Sequence, residues 1–168
     1  SGRPTVASLL KSRGYSTAAI GKWHLGLGDK PNADFSQPLS PSPLTHGFDS
    51  FYGIPASLDM PPYVWIDNDR ATPPPTLQTP GDDGLGGFRG RFYRAGAIAP
   101  GFEIDQVLPT ITNRAEQFIQ KQNSTRPFFL YLPLTAPHTP WAPLKQFQGR
   151  AQALSYGDFV AQVDDSVG

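Results

Sequence analysis

The stretch Phe128-Phe129-Leu130-Tyr131-Leu132-Pro133-Leu134 decides the fold class. It is an almost continuous apolar run of strand length, the pattern of a strand covered on both faces, as in a parallel sheet flanked by helices. The segment before it reads as a helix over about Ile104–Gln122. There Val107, Ile111, Ala115, Phe118 and Ile119 fall on one stripe, and Pro109 sits near the start, where proline is tolerated. The same alternation appears at the beginning of the chain. Residues 4–13 read as a short helix with Val6, Leu9 and Leu10 in register and Gly14 as its stop, and Tyr15–Ile20 then reads as a strand ending at Gly21. After the apolar run a last helix is predicted from about Ser155, with Tyr156, Val160, Val163 and Val167 in register. Helices alternating with strands, one of them doubly buried, predict an α/β protein with a sheet that is at least partly parallel.

The rest is loop-rich. Proline (19) and glycine (17) together make about a fifth of the 168 residues, yet 11 Phe, 6 Tyr and 3 Trp argue for a packed core rather than disorder. Residues 27–62 are dominated by loops around one aromatic strand candidate, Phe48–Gly53. Tyr63–Thr72 reads as a hairpin turning at Asp67-Asn68-Asp69, and 73–101 as an irregular loop insertion. Lys plus Arg equals Asp plus Glu at 14 each, which argues against a nucleic-acid binder or a polybasic membrane-surface protein. No apolar run approaches a membrane span. The absence of cysteine removes disulfides, thiolate metal sites and a cysteine nucleophile from this stretch. Both ends read as cuts through a larger domain, so 1–168 is expected to be an internal part of one domain, with sheet edges left open.

Only three histidines are present, His24, His46 and His138. Lys22 and His24 follow the strand ending near Ile20, and His138 follows the strand ending near Leu134. Open α/β sheets carry their sites beyond the carboxyl ends of the strands, so two segments deliver a lysine and two imidazoles to one edge. Such a set suits an anion. His46, before the Gly47-Phe48 turn, reads as structural, and Trp23 as the packing residue that fixes the Lys22 and His24 loop. Asp82-Asp83 reads as turn chemistry and Asp164-Asp165 as helix-surface groups rather than metal pairs. Gly21-Lys22 is no P-loop, because Trp23 stands where a magnesium-binding Ser or Thr is needed. Gly84-Leu85-Gly86-Gly87 lacks the strand–turn–helix setting of a dinucleotide site. Asn123-Ser124-Thr125 is a glycosylation sequon, meaningful only in a secretory eukaryote.

The segment Gly14-Tyr15-Ser16-Thr17-Ala18-Ala19-Ile20-Gly21-Lys22-Trp23-His24-Leu25-Gly26 resembles the second signature of the sulfatases. His46–Gly53, Phe128–Trp141 and Tyr156–Gly168 fit the same family in order, above all its bacterial arylsulfatase and N-acetylgalactosamine-6-sulfatase-like branch. The resemblance implies an alkaline-phosphatase-like sandwich with a central, mostly parallel sheet, incomplete in this chain. It implies a sulfuric ester hydrolase that acts on aryl or sugar sulfates, using a formylglycine and a calcium ion whose ligands lie outside residues 1–168. It also implies a periplasmic, extracellular or lysosomal setting. Lys22 matches the lysine that contacts sulfate and formylglycine, His24 the histidine bonded to the formylglycine hydrate, and His138 the histidine near the ester oxygen. Substrate binding is thus expected at Lys22 and His138, with no metal ligand in this stretch. Two alternatives stay open: a phosphomonoesterase or phosphonate hydrolase of the same superfamily, and a non-catalytic sulfate- or glycan-binding relative.

Overall fold

The computed structural model describes residues 3–29, 33–84 and 89–168. The glycine-rich Gly84-Leu85-Gly86-Gly87 stretch lies almost wholly outside the described residues. Helix α1 (Val6–Ser12) opens on a capping box in which the Thr5 and Ser8 side chains each accept the other residue's backbone N–H. Strand β1 (Ser16–Lys22) follows, then β2 (Ser50–Ile54), the hairpin of β3 (Ile66–Asp67) and β4 (Arg70–Ala71), and a small pair, β5 (Leu77–Thr79) with β6 (Gly96–Ile98). Helix α2 (Val107–Gln120), strand β7 (Phe128–Tyr131) and helix α3 (Leu154–Val167) complete the order.

The main sheet runs β4-β3-β2-β1-β7. Strand β1 pairs in parallel with both β2 and β7, whereas β2–β3 and β3–β4 are antiparallel. Successive strand side chains point to opposite faces. Phe129 and Tyr131 line a groove with Val6 and Ala7 of α1, and Phe128 stands edge-on to Phe118 of α2 at 5.6 Å. The two helices therefore cover opposite faces of the sheet, giving the layered α/β arrangement expected. The core lies along α2 and β1: Val107, Ile111 and Ala115 are buried with Ala19, Ile20, Phe51 and Ile66.

Four expectations need correction. The fully buried strand is β1, over Thr17–Gly21, an inner strand between β2 and β7. Among the described strands β7 is an edge, and Phe128, Tyr131 and Leu132 remain 36–40% exposed. In α1 it is Ala7 that packs inward, since a small side chain lets the helix approach the sheet, while Val6 and Leu9 face out. In α3 the buried residues are Asp158, Phe159 and Gln162, and Tyr156, Val160 and Val167 are exposed. Asp158 accepts the backbone N–H groups of Gly149 and Ala151, and Gln162 accepts that of Leu144, so the inward face is chosen by hydrogen-bond demand. Residues 73–101, expected to be irregular, carry the β5–β6 pair and a second backbone bridge between Asp82 and Tyr93.

Candidate functional site

Strands β1, β2 and β7 are parallel, so the loops that follow them all leave from one end of the sheet. The end of β1 and the residues after it are held on both sides. The Lys22 N–H donates to the Pro133 carbonyl at 2.8 Å, and the Trp23 and His24 N–H groups donate to the Ile54 and Pro55 carbonyls, each at 3.0 Å. Two close approaches make this possible. A Cβ on Gly21 would lie 2.2 Å from the Pro133 oxygen, and one on Gly53 would lie 1.8 Å from the Gly21 oxygen.

Trp23 is 5% exposed and packs against His46, Phe48 and Phe51, with ring centroids 5.8–6.2 Å away. Its indole N–H closes the loop onto the Gly26 carbonyl at 2.9 Å. Anchored next to it, His24 adopts the left-handed conformation at φ 58°, uncommon for a residue with a side chain. Lys22 is half-buried and His24 exposed. His46 ends a turn of 3-10 helix, and its carbonyl accepts the Thr5 hydroxyl at 2.6 Å, in keeping with a structural role.

His138 arrives from the loop after β7, five residues beyond the Pro133 carbonyl that holds Lys22. The preceding Thr135 and Ala136 are buried, and the His138 side chain is 52% exposed. Its Nδ1 lies 2.8 Å from the Thr139 carbonyl and 3.4 Å from the Thr139 hydroxyl. A carbonyl only accepts, so Nδ1 carries the hydrogen and Nε2 is the nitrogen free to exchange a proton.

The loop after β2 adds a residue that the sequence reading passes over. Asp59 is 8% exposed. One carboxylate oxygen pairs with Arg94 Nη1 at 2.9 Å, and the other lies 4.0 Å from His138 Nδ1. The Asp59 carbonyl takes the Arg94 backbone N–H at 3.1 Å, and Tyr63 donates its hydroxyl to the Arg94 carbonyl at 2.7 Å. Burial, reinforced by the charge of Asp59, pushes the Tyr63 phenol up to about 12. The sequence signal for Asp59 is its place five residues past a parallel strand, in a segment otherwise read as loop.

Just past His138, Pro140 and Trp141 border a cavity of about 370 Å³ that Asp82, Arg91, Tyr93 and Asp105 also line. Among the described residues no group of three or more His, Asp or Glu side chains could hold a metal ion. Asp82 accepts the Gly84 N–H at 2.8 Å, as turn chemistry predicts. No helix among the described residues is long and apolar enough to cross a membrane.

The sulfatase family model matches residues 1–168. The chain is 29% identical to N-acetylgalactosamine-6-O-sulfatase of Bacteroides thetaiotaomicron, over 98% of this chain and 38% of that protein. It is 34% identical to N-acetylgalactosamine-6-sulfatase of Sus scrofa, over 97% of this chain and 28% of that protein. It superposes with a TM-score of 0.81, at 27% identity, on a solved structure described under the metabolism of multiple glycosaminoglycans by Bacteroides thetaiotaomicron. That match covers 99% of this chain and 41% of the other. A sulfatase structure from Pseudoalteromonas, at 22% identity and a TM-score of 0.64, shares the fold and covers 99% of this chain and 33% of that one. The chain thus spans between about a quarter and two-fifths of the length of these relatives. Its architecture is their alkaline-phosphatase-like α/β sandwich, with the longest strands parallel. The family match along the whole chain, together with the signature that forms β1 and its loop, settles the assignment: the chain belongs to the sulfatase family.

Proposed function

We propose that the chain is the part of a sulfuric ester hydrolase that grips the sulfuryl group and protonates the departing alcohol. The observation that carries this is the Lys22 N–H to Pro133 carbonyl bond, which ties the loops bearing Lys22 and His138 together at one end of the sheet. Lys22 offsets charge building on the sulfuryl oxygens, and His24, held beside it by Trp23, contributes to the same anion site. His138 acts on the ester oxygen. As the S–O bond breaks, its electron pair passes to that oxygen, which takes the proton from Nε2 while Nδ1–H stays bonded to Thr139.

The family resemblance brings a calcium ion and a formylglycine with it. Calcium takes carboxylate, carbonyl and water oxygens, whereas the groups at this sheet end are an ammonium and two imidazoles. The described residues do not fit the ion, so its ligands are assigned to other parts of the whole protein. We take the substrate to be a sugar sulfate, as the names of the relatives suggest, with the sugar in the cavity bordered by Tyr93 and Trp141, whose rings suit a pyranose face. On the family resemblance we place the protein in a periplasmic, extracellular or lysosomal compartment.

The test is kcat/KM of the full-length protein on a 6-O-sulfated N-acetylgalactosamine and on para-nitrophenyl sulfate. A sugar hydroxyl leaves poorly and needs a proton, whereas a nitrophenolate does not. His138→Ala should cost about 10²–10⁴-fold on the sugar sulfate and far less on the aryl ester. Lys22→Ala should cost both alike. Equal losses for His138→Ala would make it a sulfate-binding group and not the acid.

A further inference from the structure

Asp59 has no role in the reaction described so far, and its burial calls for one. A carboxylate is rarely taken out of water unless it is paired. Arg94 accounts for one oxygen, but Oδ1 is fully buried and makes no hydrogen bond. The ring facing that oxygen is His138, with Nδ1 at 4.0 Å, an ion pair whenever the imidazole is charged. The carboxylate is also firmly aimed. Arg94 Nη1 reaches both the Asp59 carboxylate and its carbonyl, the Arg94 backbone N–H bonds the same carbonyl, and Tyr63, 2% exposed, holds the Arg94 carbonyl in turn.

Resting on the reading of His138 as the proton donor, we propose that Asp59 is its positioning residue: fixed by Arg94, the Asp59 carboxylate holds the Nδ1 side of the ring inward and so presents Nε2 to the ester oxygen. Asp59 itself touches no substrate. The Thr139 carbonyl is the other group on Nδ1, but it belongs to the neighbouring residue of the same loop. Asp59 comes from the loop after β2 and ties His138 to the sheet.

The experiment is a double-mutant cycle in the full-length protein, with Asp59→Asn, His138→Ala and the double variant assayed on the sugar sulfate and the aryl sulfate. Asp59→Asn keeps shape and removes charge. It should cost about 10–100-fold on the sugar sulfate, the usual scale for removing a partner that orients a functional histidine. On the aryl sulfate it should cost little. In the double variant the loss should equal that of His138→Ala alone, because a positioning residue has nothing left to position. A purely structural Asp59 would instead lower both substrates together and add to His138→Ala, and that result overturns the proposal. If Asp59→Asn fails to fold, Arg94→Met, at a half-exposed site, carries the test. It frees the carboxylate's anchor and should show the same substrate-selective loss, and equal losses again refute the idea. If His138→Ala itself shows no selectivity, the assignment of the acid falls instead, so the two failures are told apart.

Discussion

Replacing Gly21 by alanine tests whether the sheet end is built as described. Gly21 sits at φ +132°, and a Cβ there would lie 2.2 Å from the Pro133 oxygen and 3.0 Å from its carbon. Both are backbone atoms, so no side chain can swing aside. Relief requires β1 and residue 133 to part by on the order of 1 Å, which breaks the Lys22 N–H bond to Pro133, now 2.8 Å, by carrying it past hydrogen-bonding range. Leaving those groups unpaired costs about 1–3 kcal/mol. Holding a side chain in that backbone region costs about 1–3 kcal/mol more. The sum, about 2–6 kcal/mol, is a large fraction of the roughly 5–15 kcal/mol that stabilises a typical domain. Moving Lys22 by that distance should also lower kcat/KM by about 10²-fold. The assay is urea unfolding of the full-length protein followed by kcat/KM on either sulfate. Gly14→Ala is the control: φ is +89° there and nothing lies within 4 Å of the added Cβ, so only the conformational cost applies. If Gly21→Ala unfolds no earlier than Gly14→Ala and keeps full activity, the close approach of the two loops is not what organises the site.

Two further outcomes follow from the titrating groups. Burial raises the Asp49 carboxyl, but the Lys11 ammonium at 2.8 Å and hydrogen bonds from Thr17 outweigh it, leaving Asp49 below its ordinary 3.8. A lowered carboxylate contributes stability that is complete above 3.8 and lost as pH falls through the folded-state value, so melting temperature should drop less on acidification in Asp49→Asn than in the wild type. An acid limb that is the same in both would show that the Lys11–Asp49 pair is not coupled to folding. Tyr63→Phe removes one buried donor and should lower stability by about 1 kcal/mol in urea. Because the folded-state phenol lies at about 12, its contribution holds below pH 10 and disappears as pH rises through 12, and the step missing from an ultraviolet tyrosine titration of the variant should fall there.

What could be read in advance were the features fixed by neighbouring residues. The helix α2 stripe through Val107, Ile111 and Ala115, though not its predicted end at Ile119, which is 48% exposed, the Asn68 turn at φ 59° and the Gly-Lys-Trp-His loop each depend on spacing within a few positions and are where the sequence puts them. The misses share a cause of another kind. Hydropathy assigns Val160 and Val167 of α3 to the core, but it cannot register that Gly149, Ala151 and Leu144 present N–H groups needing acceptors, which turn Asp158 and Gln162 inward. It reads β7 as fully buried from composition, although a strand at the edge of the described sheet keeps part of its surface open. Asp59 is the same case at the site itself. Beyond its place after a parallel strand, nothing in Ala56-Ser57-Leu58-Asp59-Met60 singles out Asp59, because its partners are Arg94, held through its backbone N–H on the Asp59 carbonyl, and His138, brought near by the parallel pairing of β1 with β2 and β7. A local motif can therefore point to the residues proposed here to touch the substrate, while a group proposed to aim them becomes visible only as a buried charge whose hydrogen bonds do not add up.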